Sequence, residues 1–167
     1  MATGYTFIAS NTVGSGGAAS ITFSSIAGTY TDLIVKVSAR TSGTGTPAMS
    51  FYFNGTNTNW SGIGLYGDGS SAYSFLTGGS NAVTLNTTSQ TANTFTNDEF
   101  YVPNYTSSNF KSVSVDGVTE NNATAAYADL TAQLWSSTGV VTSITMAPST
   151  GSFAQYTTAY LYGIKNS

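Results

Sequence analysis

Apolar side chains in this chain return at every second residue, and no stretch repeats them at every third or fourth. Leu33, Val35, Val37 and Ala39 alternate with Ile34, Lys36, Ser38 and Arg40. Met49, Phe51 and Phe53 alternate with Ser50, Tyr52 and Asn54, and Val113 and Val115 with Ser112, Ser114 and Asp116. Ala128, Leu130, Ala132 and Leu134 alternate with Asp129, Thr131, Gln133 and Trp135. Successive side chains on a strand point to opposite faces, so each set describes a strand with one buried and one solvated face. The rule turns the apolar member of each set toward a core, including Ala128, Leu130, Ala132 and Leu134. The β-branched and aromatic content agrees with strands.

Turn-forming clusters separate these runs. They include Gly14-Ser15-Gly16-Gly17, Ser42-Gly43-Thr44-Gly45, Gly67-Asp68-Gly69, Gly78-Gly79, Asn121-Asn122 and Ser149-Thr150-Gly151. Between them lie windows at 4–10, 19–25, 32–40, 48–54, 61–66, 72–76, 82–86, 94–102, 110–118, 125–135, 140–147 and 155–164. About ten separate strands are expected, some of the short windows merging or failing. Many strands joined by short Gly-rich turns predict an all-β, antiparallel two-sheet β-sandwich. Residues 1–167 read as a single β-sandwich domain, with no shift of composition to mark a linker. The length favours a jelly roll; an immunoglobulin-like sandwich with elaborated loops is the alternative.

Composition narrows the function. Charged residues make up 7% of the chain, against roughly 25% in average usage, and there is no His and no Cys. The surface must therefore be built from hydroxyls and amides: 28 Thr, 24 Ser and 13 Asn. Little charge repulsion keeps copies of such a protein apart. The net charge is −3, and Lys36, Arg40, Lys111 and Lys165 are scattered. That disfavours nucleic acid as a partner. No apolar run approaches the length of a membrane span, and Met1-Ala2-Thr3-Gly4 lacks the charged and apolar regions of a secretory signal.

Few residues are left for chemistry. A Ser-His-Asp triad, a Cys nucleophile and the usual zinc ligands are all missing, which leaves paired carboxylates as the enzymatic route. Asp98 and Glu99 are neighbours and point to opposite faces of a strand. Asp116 and Glu120 flank Gly117, which reads as hairpin chemistry. Gly67-Asp68-Gly69-Ser70-Ser71 offers one carboxylate, too few for calcium, and reads as a tight turn. No metal, cofactor or catalytic residue is expected, and the chain is not read as an enzyme. The Asn-x-Ser/Thr triplets at Asn54, Asn59, Asn86, Asn104 and Asn122 are what chance provides in so Ser- and Thr-rich a sequence. Three aromatics are candidate partner contacts. Trp60 adjoins the Asn-rich stretch Asn54–Asn59 and Trp135 falls on the polar face of its strand; a glycan-binding surface would join Trp60 or Tyr66 to Asn and Asp side chains. An exposed Trp normally has a partner over it, so a subunit contact or a sugar platform is weighed against core filling.

Two segments carry a resemblance. Ile21-Thr22-Phe23-Ser24-Ser25-Ile26 with Gly28-Thr29-Tyr30-Thr31-Asp32-Leu33, and the closing Ala159-Tyr160-Leu161-Tyr162-Gly163-Ile164-Lys165-Asn166-Ser167, resemble small virion proteins of tailed bacteriophages. The similar proteins are notably those of phages with aquatic and cyanobacterial hosts. The segments cover under a fifth of the chain. The resemblance implies a virion structural component on a β-sandwich. A fibre usually adds an attachment segment, and this sequence shows no heptad, collagen-like stretch or long arm. The expectation is therefore a capsid decoration (cement) protein on the capsid surface. Its expected partners are the major capsid protein and copies of itself, as a homotrimer. The alternative is a receptor-binding tail-fibre or tailspike tip, or a carbohydrate-binding module, recognising host surface glycans. A hydrolase of such glycans is the third reading.

Overall fold

A computed structural model of the chain describes residues 4–120, 122 and 126–165. Asn121 of the Asn121-Asn122 turn, position 125 of the 125–135 window, residues 1–3 and the closing Asn166-Ser167 lie outside them. The strands are β1 (Tyr5–Thr12), β2 (Ile21–Phe23), β3 (Asp32–Ser38), β4 (Ala48–Phe53), β5 (Trp60–Gly67), β6 (Ala72–Thr77), β7 (Asn81–Thr84), β8 (Asn97–Val102), β9 (Lys111–Val118), β10 (Ala128–Trp135), β11 (Ile144–Pro148) and β12 (Thr158–Ile164). Each of the windows read from the sequence holds one strand of its own, so none merges and none fails.

All pairings between these strands are antiparallel. An eight-stranded sheet runs β1-β12-β3-β8-β9-β10-β5-β6 and a four-stranded sheet runs β2-β11-β4-β7. Set β5, β6, β9 and β10 aside and the remaining strands pair first with last: β1 with β12, β2 with β11, β3 with β8, β4 with β7. That is one long antiparallel hairpin rolled so that successive pairs fall in alternate sheets, which is the jelly roll. The inserted pairs β5–β6 and β9–β10 widen one sheet only. The sandwich is therefore lopsided, and the wide sheet reaches past the narrow one.

The core lies where the sheets overlap. Leu33, Val35 and Val37 of β3 face inward with Phe100 and Val102 of β8, opposite Met49, Phe51 and Phe53 of β4. Phe51 and Phe100 stack across the gap at 4.3 Å, a contact worth about 1 kcal/mol beyond its area. Val113 and Val115 of β9 are buried as expected. Ile34, assigned to the polar face by alternation, is buried as well; it stands between Tyr162 and Tyr101 in the same cross-strand row of the outer face.

β10 reverses the expectation. Asp129, Thr131, Gln133 and Trp135 face inward and are buried, while Ala128, Leu130, Ala132 and Leu134 face outward. The reason is the open edge of the narrow sheet. β7 pairs with β4 on one side only, and its register slips between Met49 and Ser50. Side chains of β10 supply what a further strand would. Thr131 Oγ1 donates to the Ala82 carbonyl at 2.7 Å, Gln133 Nε2 to the Asn81 carbonyl at 2.7 Å, and the Thr84 N–H donates to Asp129 at 2.9 Å. Unpaired buried backbone groups cost about 1–3 kcal/mol each, so polar side chains outcompete leucines for the inward positions.

Gly117 is a second correction. It lies inside β9 rather than in a hairpin turn. A Cβ there would meet Val83 Cγ1 at 2.7 Å and Asp98 Oδ1 at 2.9 Å. The residue is glycine because two side chains converge over its backbone.

Candidate functional site

The two tryptophans are core residues. Trp60 and Trp135 are directly paired across β5 and β10, are 6% and 3% exposed, and pack on Phe53 with ring centroids 5.0 and 5.4 Å away. Trp60 Nε1 donates to the Thr56 carbonyl at 3.3 Å. Neither ring offers a platform to a partner in this fold. Their inward turn follows from the inverted facing of β10, which puts Trp135 on the same side as Thr131.

Tyr66 sits elsewhere, in a cleft of about 250 Å³ between the rim of β7 and the inward face of β5, β6 and β10. Its ring stacks on Tyr73 at 4.8 Å and lies 6.0 Å from Phe75 and 6.1 Å from Tyr127. Gly64 makes this packing possible: a Cβ at that position would come within 2.2 Å of the Phe75 ring. The polar end of the cleft is formed by Asn81, Thr84 and Asp129. Asp129 accepts from the Thr84 N–H and, at 3.4 Å, from the Thr84 hydroxyl. Burial holds its carboxyl above the usual range, and the Thr84 bonds oppose that rise. Tyr66, Asn81 and Asp129 thus line one cleft. Phe75 and Tyr127 join it through pairings that no local pattern announces.

The acidic residues fall into place around this cleft. Asp98, Gly117, Asp129 and Tyr66 stand in one row across β8, β9, β10 and β5. Asp98 is 1% exposed, and burial, reinforced by the charges of Asp129 and Asp116, raises its carboxyl well above the ordinary range. Thr96 donates to it at 2.5 Å, while its other oxygen has no partner. The two inward carboxyls thus differ: Asp98 is closed off beside Val83, and Asp129 reaches the cleft. The Gly67-Asp68-Gly69 segment is a turn in which Asp68 accepts from the Ser70 and Ser71 N–H groups at 2.9 and 2.8 Å, with Gly69 at φ +86°. Two of the Asn-x-Ser/Thr asparagines are committed to the fold: Asn86 is buried, and the Asn54 amide spans the Val140 carbonyl and the Thr142 N–H. Among the described residues, no three Asp or Glu side chains gather as a metal site would require.

A second surface lies on the opposite face of the same strands. Leu130 pairs directly with Leu65, Ala132 with Ile63, and Ile63 with Leu76. Leu76 is 86% exposed, and Ile63, Leu65 and Leu130 are each more than half exposed. Leu134 and Val118 extend the patch. Exposed aliphatic side chains grouped on one sheet face are the kind of surface that marks interaction sites. Sequence alternation hides it, because the rule assigns Leu130 and Leu134 to the core.

Fold and surfaces together define a jelly-roll sandwich whose widened sheet carries an aromatic cleft on one face and an aliphatic patch on the other. Comparison with family models, with curated proteins and with solved structures finds no match to this chain.

Proposed function

We propose that this chain is a structural protein of a tailed-phage virion: a capsid decoration protein that assembles with copies of itself, as a trimer, and binds the major capsid protein across joints between capsomers. The observation that carries the reading is the aliphatic patch of Leu65, Leu76, Leu130 and Ile63 on the outer face of the wide sheet. Burying such side chains against a neighbour stabilises by about 25 cal/mol per Å², and the 7% charge content adds little repulsion between copies. The resemblance of Ile21–Leu33 and of the closing segment to phage virion proteins supplies the particle. Its action is mechanical: self-contained domains bridge shell joints and add contacts, and no catalytic step is involved.

Quantitative mass spectrometry of purified virions, with immunogold labelling, tests this reading. Hundreds of copies per particle on the head are expected. A handful of copies on the tail overturns the proposal. Light scattering of the purified protein tests the assembly: a trimer is expected that dissociates on Leu65→Asp or Leu130→Asp, and a native monomer removes the carrying observation.

A further inference from the structure

The cleft beside Tyr66 has a chemistry of its own, separate from the patch on the other face. At about 250 Å³ it is smaller than the roughly 300–1,000 Å³ of drug-sized sites, a size that suits one ring. Its wall is aromatic and preformed. Tyr66 is held by the near-parallel Tyr73 ring at 4.8 Å and by the Phe75 and Tyr127 rings at 6.0 and 6.1 Å, tilted by 56° and 57°, within the usual range of aromatic packing. What Tyr66, Phe75 and Tyr127 present to the cleft is an aromatic wall. The floor is polar and short of donors. A carboxylate offers about four lone-pair sites, and Thr84 occupies two on Asp129. The remaining sites suit hydroxyl donors, and a buried acceptor gains strength from its low-dielectric surroundings.

Charge disfavours anionic ring ligands. Lys36 is paired with Glu99 across β3 and β8, which β9 and β10 separate from β5 and β6 in the wide sheet. Arg40 is spent on the carbonyls of Gln90, Thr91 and Thr94, and Lys111 on those of Ser107 and Asn109. No cation lines the cleft. An acidic sugar or a phosphate would meet Asp129 with nothing to neutralise it. An uncharged pyranose has what the site complements: an apolar C–H face to lie on Tyr66 and Phe75, and an edge of hydroxyls to donate to Asp129 and exchange hydrogen bonds with Thr84 and Asn81.

From this we infer that the cleft between β7 and β5–β6 binds a single neutral pyranose ring, as the terminal sugar of a glycan. The inference does not rest on the virion reading, since it uses the inward face and that reading uses the outward one.

The test is an NMR titration of the intact ¹⁵N-labelled protein. The probes are the methyl glycosides of glucose, galactose, mannose and N-acetylglucosamine, with glucuronate and choline as contrasts. The expected result is saturable shifts at Ala82–Thr84 and Tyr127–Asp129 with at least one neutral glycoside, at a Kd of about 1–10 mM. Neither contrast should bind comparably. Tyr66→Ala should weaken binding about tenfold, the scale on which one stacked ring contributes, and Tyr66→Phe should retain it. Because Asp129 also anchors β7, Phe75→Ala is the second variant, with an unchanged melting temperature as the control for folding. The inference is overturned if no neutral glycoside gives saturable shifts at 50-fold over that Kd range, if glucuronate or choline binds as well, or if both alanine variants bind as the parent does. Oligomeric state is measured on the same samples, so failure of the cleft and failure of the patch are distinguishable.

Discussion

In the rolled frame, β3 turns Leu33, Val35 and Val37 inward and leaves Lys36 in water; in the inserted β10, Asp129, Thr131 and Gln133 turn inward and Leu130 and Leu134 face out. Both strands obey the same two-residue alternation. They differ in what lies opposite. β3 faces a complete layer of Met49, Phe51 and Phe53, which rewards apolar side chains. β10 faces the raw edge of β7, which rewards hydrogen bonds, and of β5 it is Trp60, at the strand's start, that packs on the narrow sheet, against Phe53. On this part of the wide sheet the aliphatic side chains Ile63, Leu65, Leu76 and Leu130 lie on the outer face and are exposed.

The strongest way to break this comparison is to place the same charge in each region. Val35→Asp buries an unpaired carboxylate in the frame and should cost at least about 3–5 kcal/mol, enough to leave little folded protein by circular dichroism. Leu65→Asp should leave monomer stability within about 0.5 kcal/mol while changing the association state. Unfolding of both variants would show that the outer face is part of the monomer's own core. Next in size is Trp135→Ala, expected to cost about 3–5 kcal/mol in chemical denaturation. A loss under 1 kcal/mol would return Trp135 to the list of surface contacts. Thr131→Val keeps the shape and removes the bond to the Ala82 carbonyl. It should cost about 1–3 kcal/mol; no loss would mean that the β7 edge does not need its side-chain partners.

Asp98 supplies a test in pH. Burial raises its folded-state carboxyl above the unfolded value of about 3.9, so between those two values the folded protein holds more protons than the unfolded chain. Stability therefore falls as pH rises through that window and levels off above it. Each pK unit of the rise costs about 1.4 kcal/mol at higher pH. Asp98→Asn should melt higher than the parent at neutral pH and equal it below pH ~3. A shallower slope of the same sign remains from Asp129. A variant that melts lower at every pH would show that the carboxylate is needed. The smallest effect belongs to Lys36 and Glu99, an exposed pair. Lys36→Ala should change stability by less than about 1 kcal/mol and by still less at high salt.

Much of this was legible in the residues. The alternation of Met49, Phe51 and Phe53 and of Val113 and Val115 marked strands and their buried faces, and the Gly-rich clusters marked turns such as Gly67-Asp68-Gly69. The same alternation located β10 and misread its facing, because period two says that the faces differ and leaves to the neighbours which one is covered. Trp60 and Trp135, which the sequence leaves between partner contact and core filling, are buried in the core. Of the cleft, only Tyr66 was visible beforehand: Phe75, Tyr127, Asp129 and Asn81 come from four strands or loops, and their meeting depends on β5 pairing with β10 rather than with its sequence neighbour β4.

The amino-acid order alone determined that the chain forms strands, where they turn, and that histidine and cysteine chemistry is absent, since these depend on local sterics and on residue type. Only the tertiary structure decided that two inserted strand pairs join one sheet and overhang the other. That asymmetry buried the tryptophans, turned Leu130 and Leu65 outward and opened the cleft at Tyr66. Its physical reason is that burial and edge satisfaction are set by what another segment, far away in sequence, places across the gap.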